Sequence, residues 1–510
     1  MNYYVMKDYL ELLSQYNHVT ECNLYNKEDQ IIKYLTYDSR AVTNCTLFVC
    51  KGNTFKSEYL ELSVKNGATL YISEIKYELP NDIPYIIVKD IRKAMPCLAK
   101  KFFNNPASRL NLIGIGGTKG KSTTAYFIKS VIDEYLAAMN KPESAVLSSI
   151  DQYDGVIRRE SHITTPESIE LFQHFRNAVE SGINFLEMEV SSQALKYNRV
   201  DEVVFDIGVF LNISEDHISP LEHPDFEDYF SSKLSMFAQT KTALVSTDSD
   251  YLERILDAAK AAGKVVTFGT KIGSDVYGYD IKKIGNEIIF SVKCDRFEQE
   301  FRLTIPGLFN VENALAAIAI ANEYEIPLTY IYQGLYKARS DGRMEAYTSA
   351  DNKVIAIVDY AHNKLSFDKL FESTLKEYPD YNIVSIFGCP GKKALGRRQD
   401  LGRIAGMYSK KIYLVAEDPG AEPVTDISRD IAQYVAAENC PYEMIEDRGE
   451  AIRKAILEVK DNTVILITGK GNETRQKYGN EYIDCPSDVD FTKKALEEYD
   501  LQNKLMTGLS

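Results

Sequence analysis

Asn111-Leu-Ile-Gly-Ile-Gly-Gly-Thr-Lys-Gly-Lys-Ser-Thr-Thr124 decides how the rest of this 510-residue chain is read. Leu112, Ile113 and Ile115 form a short apolar run, the mark of a strand buried on both faces. Gly116 and Gly117 then let the backbone turn tightly. Beyond Gly120-Lys121-Ser122, residues Ile128, Val131, Ile132, Tyr135 and Leu136 fall at i, i+3, i+4, i+7 and i+8, which predicts a helix. Strand, glycine turn, Lys-Ser and helix together make a phosphate cradle. Backbone N–H groups and the positive helix end face the phosphate oxygens, Lys121 adds a point charge, and the Ser122 hydroxyl can ligate Mg²⁺. The common form G-x-x-x-x-G-K-[ST] places glycine at 115, where this chain has Ile115, so the motif is the shorter Gly117-Thr-Lys-Gly-Lys-Ser122. A glycine-rich turn with an incidental lysine is the bland alternative; the flanking strand and amphipathic helix weigh against it.

Length and composition fit a globular protein of several domains. The net charge of -15 argues against a general nucleic-acid or anionic-membrane binder, so an anionic substrate must meet a local basic pocket. The eight cysteines (22, 45, 50, 97, 294, 389, 440 and 485) contain no C-x-x-C, and their spacing fits neither a disulfide framework nor a zinc site. Reduced thiols in a cytoplasm are expected, with no signal peptide at Met1-Asn-Tyr-Tyr-Val-Met-Lys-Asp8 and no apolar run long enough to span a bilayer.

The apolar pattern predicts an α/β chain of three domains. Residues 1–105 read as a small N-terminal α/β domain with strands at 47–49, 68–72 and 85–88; Asn104-Asn105-Pro106 breaks the chain after it. Residues 106–340 read as a central P-loop ATPase-like domain with a mostly parallel sheet: strands at 184–190, 203–211 and 242–246 alternate with helices. Residues 276–305 carry short alternating strands, an antiparallel edge or insertion, and a small-residue helix opens after Gly307. Residues 341–510 read as a Rossmann-like α/β domain with strands at 354–358, 383–387, 412–416 and 464–468, whose ligands are expected beyond the strands' carboxyl ends.

A phosphate loop alone says nucleotide, not reaction. In Glu187-Met-Glu-Val-Ser-Ser-Gln-Ala-Leu195 a buried strand ends on Glu189, where a further Mg²⁺ ligand belongs; a satisfied core-edge glutamate is the alternative. Leu211-Asn-Ile-Ser-Glu-Asp-His-Ile-Ser219 brings His217 after another strand, and Tyr229 and Lys233, at i and i+4, share one helix face.

Read together, these segments resemble the Mur ligases, and among them the type that adds an amino acid to a UDP-N-acetylmuramoyl-dipeptide (the MurE type). The resemblance runs over nearly the whole chain: Asp38-Ser-Arg40, Gly117-Thr-Lys-Gly-Lys-Ser-Thr123, Thr164-Thr-Pro166, Glu189-Val-Ser-Ser192, Asp216-His217 and Tyr229-x-x-x-Lys233. It continues through Asn310-Val-Glu-Asn313, Gly342-Arg-Met-Glu345, Asp359-Tyr-Ala-His362, Gly396-Arg-Arg398 and Gly469-Lys-Gly-Asn-Glu473. It implies an ATP-dependent, ADP-forming amide ligase of peptidoglycan precursor synthesis: a carboxylate takes the γ-phosphate as an acyl phosphate, and an amine then displaces phosphate. It implies ATP contacts from Gly117, Thr118, Lys119, Gly120, Lys121, Ser122 and Thr123, with Asn313 facing the adenine and Arg343, Asp359 and His362 near the phosphates and ribose. It implies Mg²⁺ on Ser122 and Glu189, a second Mg²⁺ held with His217, and a CO₂-derived carbamate on Lys233. It assigns the UDP-muramoyl substrate to the first domain and to Ser39, Thr164, Thr165, Ser191 and Arg199, although Tyr197-Asn198 stands where Gln-His is usual and Ile163 where Asn is usual.

The free amino acid falls to the third domain. Relatives that add meso-diaminopimelate carry Asp-Asn-Pro-Arg, whose arginine grips a second carboxylate; this chain has Glu417-Asp-Pro-Gly420. Glu417, Asp418 and Glu473, beside Gly469, suit a terminal ammonium, so L-lysine or ornithine is favoured, and Lys393 can pair with the α-carboxylate. Rival readings are a folylpolyglutamate synthetase, a paralogue acting on another carboxylate, a P-loop kinase or NTPase switch, and a non-catalytic binding protein. Asp38-Ser-Arg40 and Thr164-Thr-Pro166 count against the first. A monomer is expected, closing its third domain over the ATP site to exclude water.

Overall fold

The computed structural model describes every residue except 1–2, 53–54, 81, 162, 216–217, 219–221, 286, 393–394 and 508–510, and the side chains of 506 and 507. Three principal sheets follow one another along the chain. The first has five strands in the order Val19–Asn23, Tyr85–Val88, Ala68–Ser73, Thr46–Val49 and Tyr34–Thr36. Its three predicted strands are present; Val19–Asn23, largely exposed, and the three-residue Tyr34–Thr36 were not legible as apolar runs.

The central sheet has eleven strands. Asn111–Gly116 lies in its middle, between Phe185–Glu189 and Phe205–Phe210, and all three run parallel. Leu112, Ile113 and Ile115 are fully buried, because helices cover both faces of a parallel sheet. The register aligns Glu189 with Ile115 and Phe210 with Gly116. Three strand ends therefore open at one level: the glycine turn, Glu189, and Asn212 just beyond the third strand. Thr240–Ser246, Lys264–Gly269 and the start of Val276–Ile284 extend the parallel part, and Val276–Ile284, Glu287–Lys293 and Glu298–Leu303 pair antiparallel with one another at the edge, as the alternation at 276–305 predicts.

Helix Lys121–Ala138 starts where the Lys-Ser pair predicts, and its apolar face packs on helices Asn310–Glu323 and Leu328–Lys337. Gly334 makes the second contact possible: a Cβ there would meet Val131 Cα at 2.4 Å. The third sheet, of six strands, orders Glu345–Thr348, Val354–Asp359, Thr463–Thr468, Asn382–Phe387, Lys411–Leu414 and Tyr442–Met444, all parallel except the first. All eight cysteines are free, and among the described residues no helix is long and apolar enough to cross a membrane.

Candidate functional site

Asn212 holds the phosphate loop in shape. Its Oδ1 accepts the N–H groups of Thr118 (3.1 Å) and Lys119 (2.9 Å), and its Nδ2 donates to the Lys119 carbonyl (3.1 Å). Gly120 takes φ +84°, and a Cβ there would come within 2.5 Å of Asn313 Oδ1, so the loop needs glycine at that turn. Asn313 is itself oriented by Asn310 Oδ1 (2.9 Å) and by the Thr124 hydroxyl, which donates to its Oδ1 (3.1 Å).

Two lysines converge on the loop. Lys121 Nζ donates to the carbonyls of Gly117 and Thr118, each at 3.1 Å. Lys233 Nζ donates to the same Gly117 carbonyl at 2.8 Å and lies over the Tyr229 ring. Helix Phe226–Leu234, capped by the Asp225 carboxylate, delivers both Tyr229 and Lys233, and the Tyr229 hydroxyl reaches Thr118 Oγ1 at 3.0 Å. The i, i+4 spacing thus aims one face of this helix at the phosphate loop.

Glu189, 1 % exposed, ends its strand beside the loop. Its Oε1 accepts the Ser149 N–H (2.8 Å) and hydroxyl (3.2 Å), and Ser149 Oγ lies 2.9 Å from Ser122 Oγ. A buried carboxylate and two hydroxyls are a hard oxygen set of the kind Mg²⁺ takes alongside water and phosphate.

The opposite wall comes from the third sheet. Asp359 ends strand Val354–Asp359 and accepts the N–H groups of Met344 (2.9 Å) and Ala361 (2.7 Å). Burial pushes its carboxyl above the ordinary range, while Arg343 and, across the gap, Lys119 pull it back. The Arg343 guanidinium stacks on the Tyr360 ring at 4.1 Å, and His362 Nδ1 bonds the Tyr360 carbonyl at 2.8 Å. Between the walls lies a cavity of about 330 Å³. Residues 118–123, Ser149, Thr164, Glu189, Asn212, Asn313, Arg343, Asp359 and His362 all line it. Every described residue expected to contact ATP is there except Gly117, which sits one residue behind.

The other groups lie around this cavity. Thr165 Oγ1 donates to the Glu189 carbonyl (2.9 Å) and accepts the Ser191 N–H (3.0 Å), so the Thr-Thr-Pro turn is tied to the Glu189 strand end. Arg199, 9 % exposed, faces Glu167 at 2.9 Å, and Lys51 of the first sheet's unit meets the same carboxylate at 2.7 Å. Ser39 is buried near its own sheet, with its carbonyl accepting from Asn66 at 3.1 Å, and among the described residues no side-chain hydrogen bond joins it to Thr164, Thr165, Ser191 or Arg199.

Glu417, Asp418, Gly469 and Glu473 do cluster. Gly469 takes φ +106°, and a Cβ there would meet Glu417 Oε2 at 2.4 Å. Burial pushes the Glu417 carboxyl up to about 7, against the pull of Arg448, Arg397 and Lys470. Lys470, 3 % exposed, sits between Asp418 Oδ1 (3.0 Å) and Glu473, so an internal ammonium already offsets the acidity read from the sequence. Tyr360 donates to Glu473 Oε1 at 2.7 Å and links this cluster to the cavity wall.

His217 and Lys393 lie outside the described residues. Sequence reasoning passed over Asn212, Ser149 and Lys470. Asn212 and Lys470 lie inside stretches singled out above and Ser149 outside them, but only the strand register and the tertiary fold reveal what their side chains bind.

Comparison with known proteins adds the following. Residues 115–321 match the Mur ligase middle domain, and residues 342–471 match the Mur ligase, glutamate ligase domain. The UDP-N-acetylmuramoyl-L-alanyl-D-glutamate--L-lysine ligase of Enterococcus faecalis (strain ATCC 700802 / V583) is 36 % identical over 464 residues, 90 % of each chain. The protein of the same name from Streptococcus pyogenes serotype M4 (strain MGAS10750) is 38 % identical over 458 residues, 89 % of this chain and 90 % of that one. The fold matches the solved structure of a UDP-N-acetylmuramoyl-L-alanyl-D-glutamate--2,6-diaminopimelate ligase with a TM-score of 0.66, at 21 % identity, over 97 % of this chain and 99 % of that one.

Proposed function

This chain belongs to the Mur ligase family, and from that premise we propose that it joins L-lysine to UDP-N-acetylmuramoyl-L-alanyl-D-glutamate, cleaving ATP to ADP and phosphate, in peptidoglycan precursor synthesis. The observation that carries this reading is the cavity itself, with a phosphate loop on one wall and Arg343, Asp359 and His362 on the other. Residues 1–105 take the UDP-sugar end, 106–340 the ATP and 341–510 the amino acid.

The chain's own groups supply positioning and charge. Loop N–H groups and Lys121 hold the β- and γ-phosphates, Asn313 faces the adenine, and Asp359 faces the ribose. Ser122 and Glu189 are the groups that would hold Mg²⁺, with His217 serving a second ion; bound Mg²⁺ neutralises phosphate oxygens and aligns the γ-phosphoryl group. Lys233, buried against the loop, loses two protons overall as its amine adds to CO₂, giving a carbamate that replaces a cation with an anion able to attract a metal ion. Thr164, Thr165, Ser191, Arg199 and Ser39 orient the muramoyl-dipeptide so that its carboxylate attacks the γ-phosphorus and ADP leaves. The amine then adds to the acyl phosphate and expels phosphate, so an amide forms without oxide ever leaving a carboxylate.

Lysine is preferred because Gly420 offers no cation for a second carboxylate, whereas Asp418 and Glu473 outnumber the Lys470 between them and leave net acidity for a side-chain ammonium. Both sequence relatives described above carry L-lysine in their names. The test is phosphate release with ATP, Mg²⁺ and the UDP-muramoyl-dipeptide, scanned over lysine, ornithine and meso-diaminopimelate at equal concentration. Lysine-dependent release is expected; release without any amine would favour an NTPase, and faster release with diaminopimelate would overturn the amine assignment.

A further inference from the structure

Helix Lys364–Glu377 of the third sheet's unit begins at the nucleotide cavity, where Ser366 and Lys369 line it, and ends on a carboxylate buried in the central unit. That residue is Glu377, whose side chain is 1 % exposed. Its Oε1 accepts the backbone N–H groups of Gly307 and Leu308, both at 2.9 Å, and the Ser373 hydroxyl, whose oxygen shares the Leu308 N–H at 2.7 Å. Its Oε2 faces Lys283 Nζ at 3.6 Å, and the same ammonium donates to the Glu377 carbonyl at 3.2 Å. Gly307, Leu308 and Lys283 all belong to the central unit, so one helix end is gripped from two sides. A cation at a helix C-terminus is favourable in its own right, and a carboxylate on two N–H groups forms strong charge-assisted bonds.

The gripped segment leads directly into the nucleotide site. Gly307 turns at φ +94°, which aims its N–H at Glu377. Phe309 packs against the third unit's core while also lining the cavity. The next residues, Asn310 and Asn313, are bonded to each other, and Asn313 abuts Gly120 of the phosphate loop.

We infer that Glu377 is a positioning residue that fixes the third unit against the central one and sets the adenine-side start of helix Asn310–Glu323, so that closure between the units and nucleotide affinity are coupled through one buried carboxylate. A carboxylate placed only for helix stability would not reach across to the backbone of another unit. This inference rests on the cavity taking ATP, not on which acceptor or amine is joined.

The test uses the full chain, with MgADP as the probe. Calorimetry of Glu377→Ala should show roughly tenfold or more weaker MgADP binding, the scale expected when the Gly307 N–H loses a charged acceptor and the Leu308 N–H keeps only the Ser373 hydroxyl. The KM for ATP should rise by the same factor while that for the UDP-muramoyl-dipeptide stays constant, and solution scattering should show a larger radius of gyration. Glu377→Gln keeps an oxygen for the two N–H groups and should bind MgADP within about threefold of the parent. Wild-type affinity in Glu377→Ala, or a glutamine variant as weak as the alanine one, overturns the inference. Should Glu377→Ala not fold, Glu377→Asp decides: one methylene short, it should bind weakly where Gln binds well, and equal affinity in both overturns it. Because MgADP binding needs neither acceptor nor amine, failure of the amine scan and failure of this coupling are separate results.

Discussion

Lys121 and Lys233, 112 positions apart in sequence, donate to the same carbonyl oxygen, that of Gly117, at 3.1 and 2.8 Å. Two ammonium groups crowding one acceptor repel each other, by about 4 kcal/mol for a 4 Å separation at an effective dielectric constant near 20. Converting Lys233 to a carbamate turns that repulsion into attraction toward Lys121 and toward a cation. Protein incubated with ¹³C-bicarbonate should therefore show a carbamate carbonyl resonance that Lys233→Ala lacks. The same variant should lose at least about 100-fold in phosphate release, as expected when a charge aimed at the transferring group is removed. Small carboxylates at high concentration should restore part of it; a resonance that persists in Lys233→Ala would place the carbamate elsewhere.

Asn212 organises the phosphate loop through three bonds of one amide. Asn212→Ala leaves the Lys119 N–H without its acceptor and the Lys119 carbonyl without its donor. The cost of about 1–3 kcal/mol predicts a KM for ATP raised roughly tenfold or more, with the KM for the muramoyl-dipeptide unchanged. Steady-state kinetics with each substrate varied in turn checks this.

Glu187, two residues before Glu189, is wholly buried, and among the described residues neither of its oxygens accepts a hydrogen bond of good geometry. Burial pushes its carboxyl up to about 8, with Lys129 opposing. The folded state therefore keeps a proton that the unfolded chain releases near the ordinary value of 4.5. Between those two values the folded state binds more protons, so stability falls as pH rises through the window and levels off above it. Glu187→Gln removes the ionisable group. Thermal melts from pH 4 to 9 should show the variant gaining on the parent with rising pH, and no divergence would mean that Glu187 is not protonated in the fold.

The phosphate loop was legible because its chemistry is local: strand, glycine turn, Lys-Ser and amphipathic helix are consecutive in sequence. Glu189 was legible for a similar reason, as a charge ending an apolar run. Asn212 and Ser149 were not, since what they bind depends on which strands become neighbours, and sequence order does not state that Phe205–Phe210 lies beside Asn111–Gly116. The fold brings Glu417, Asp418 and Glu473 together, and adds a cation that their acidic reading left out. Lys470 lies inside a quoted motif, but only the fold turns its ammonium between Asp418 and Glu473. Strands with exposed faces, such as Val19–Asn23, escaped because they lack an apolar run.

Gly420 is where amine preference can be moved. It sits at φ +57° in the turn after Asp418, and its nearest neighbour to an added Cβ is Gly479 O at 3.7 Å, an ordinary contact. A Cβ there meets no steric block, but the left-handed backbone costs about 1–2 kcal/mol. Against that cost, a guanidinium facing the second carboxylate of meso-diaminopimelate gains about 1.5–3 kcal/mol from charge-assisted bonds, while it repels the side-chain ammonium of lysine. The strain falls on both amines equally, so the ratio of their rates isolates the new contact. Gly420→Arg should therefore lower turnover with lysine and raise the diaminopimelate-to-lysine ratio by roughly tenfold or more. The comparison is phosphate release at equal amine concentrations in variant and parent; an unchanged ratio would place the side-chain end of the amino acid away from residues 417–420.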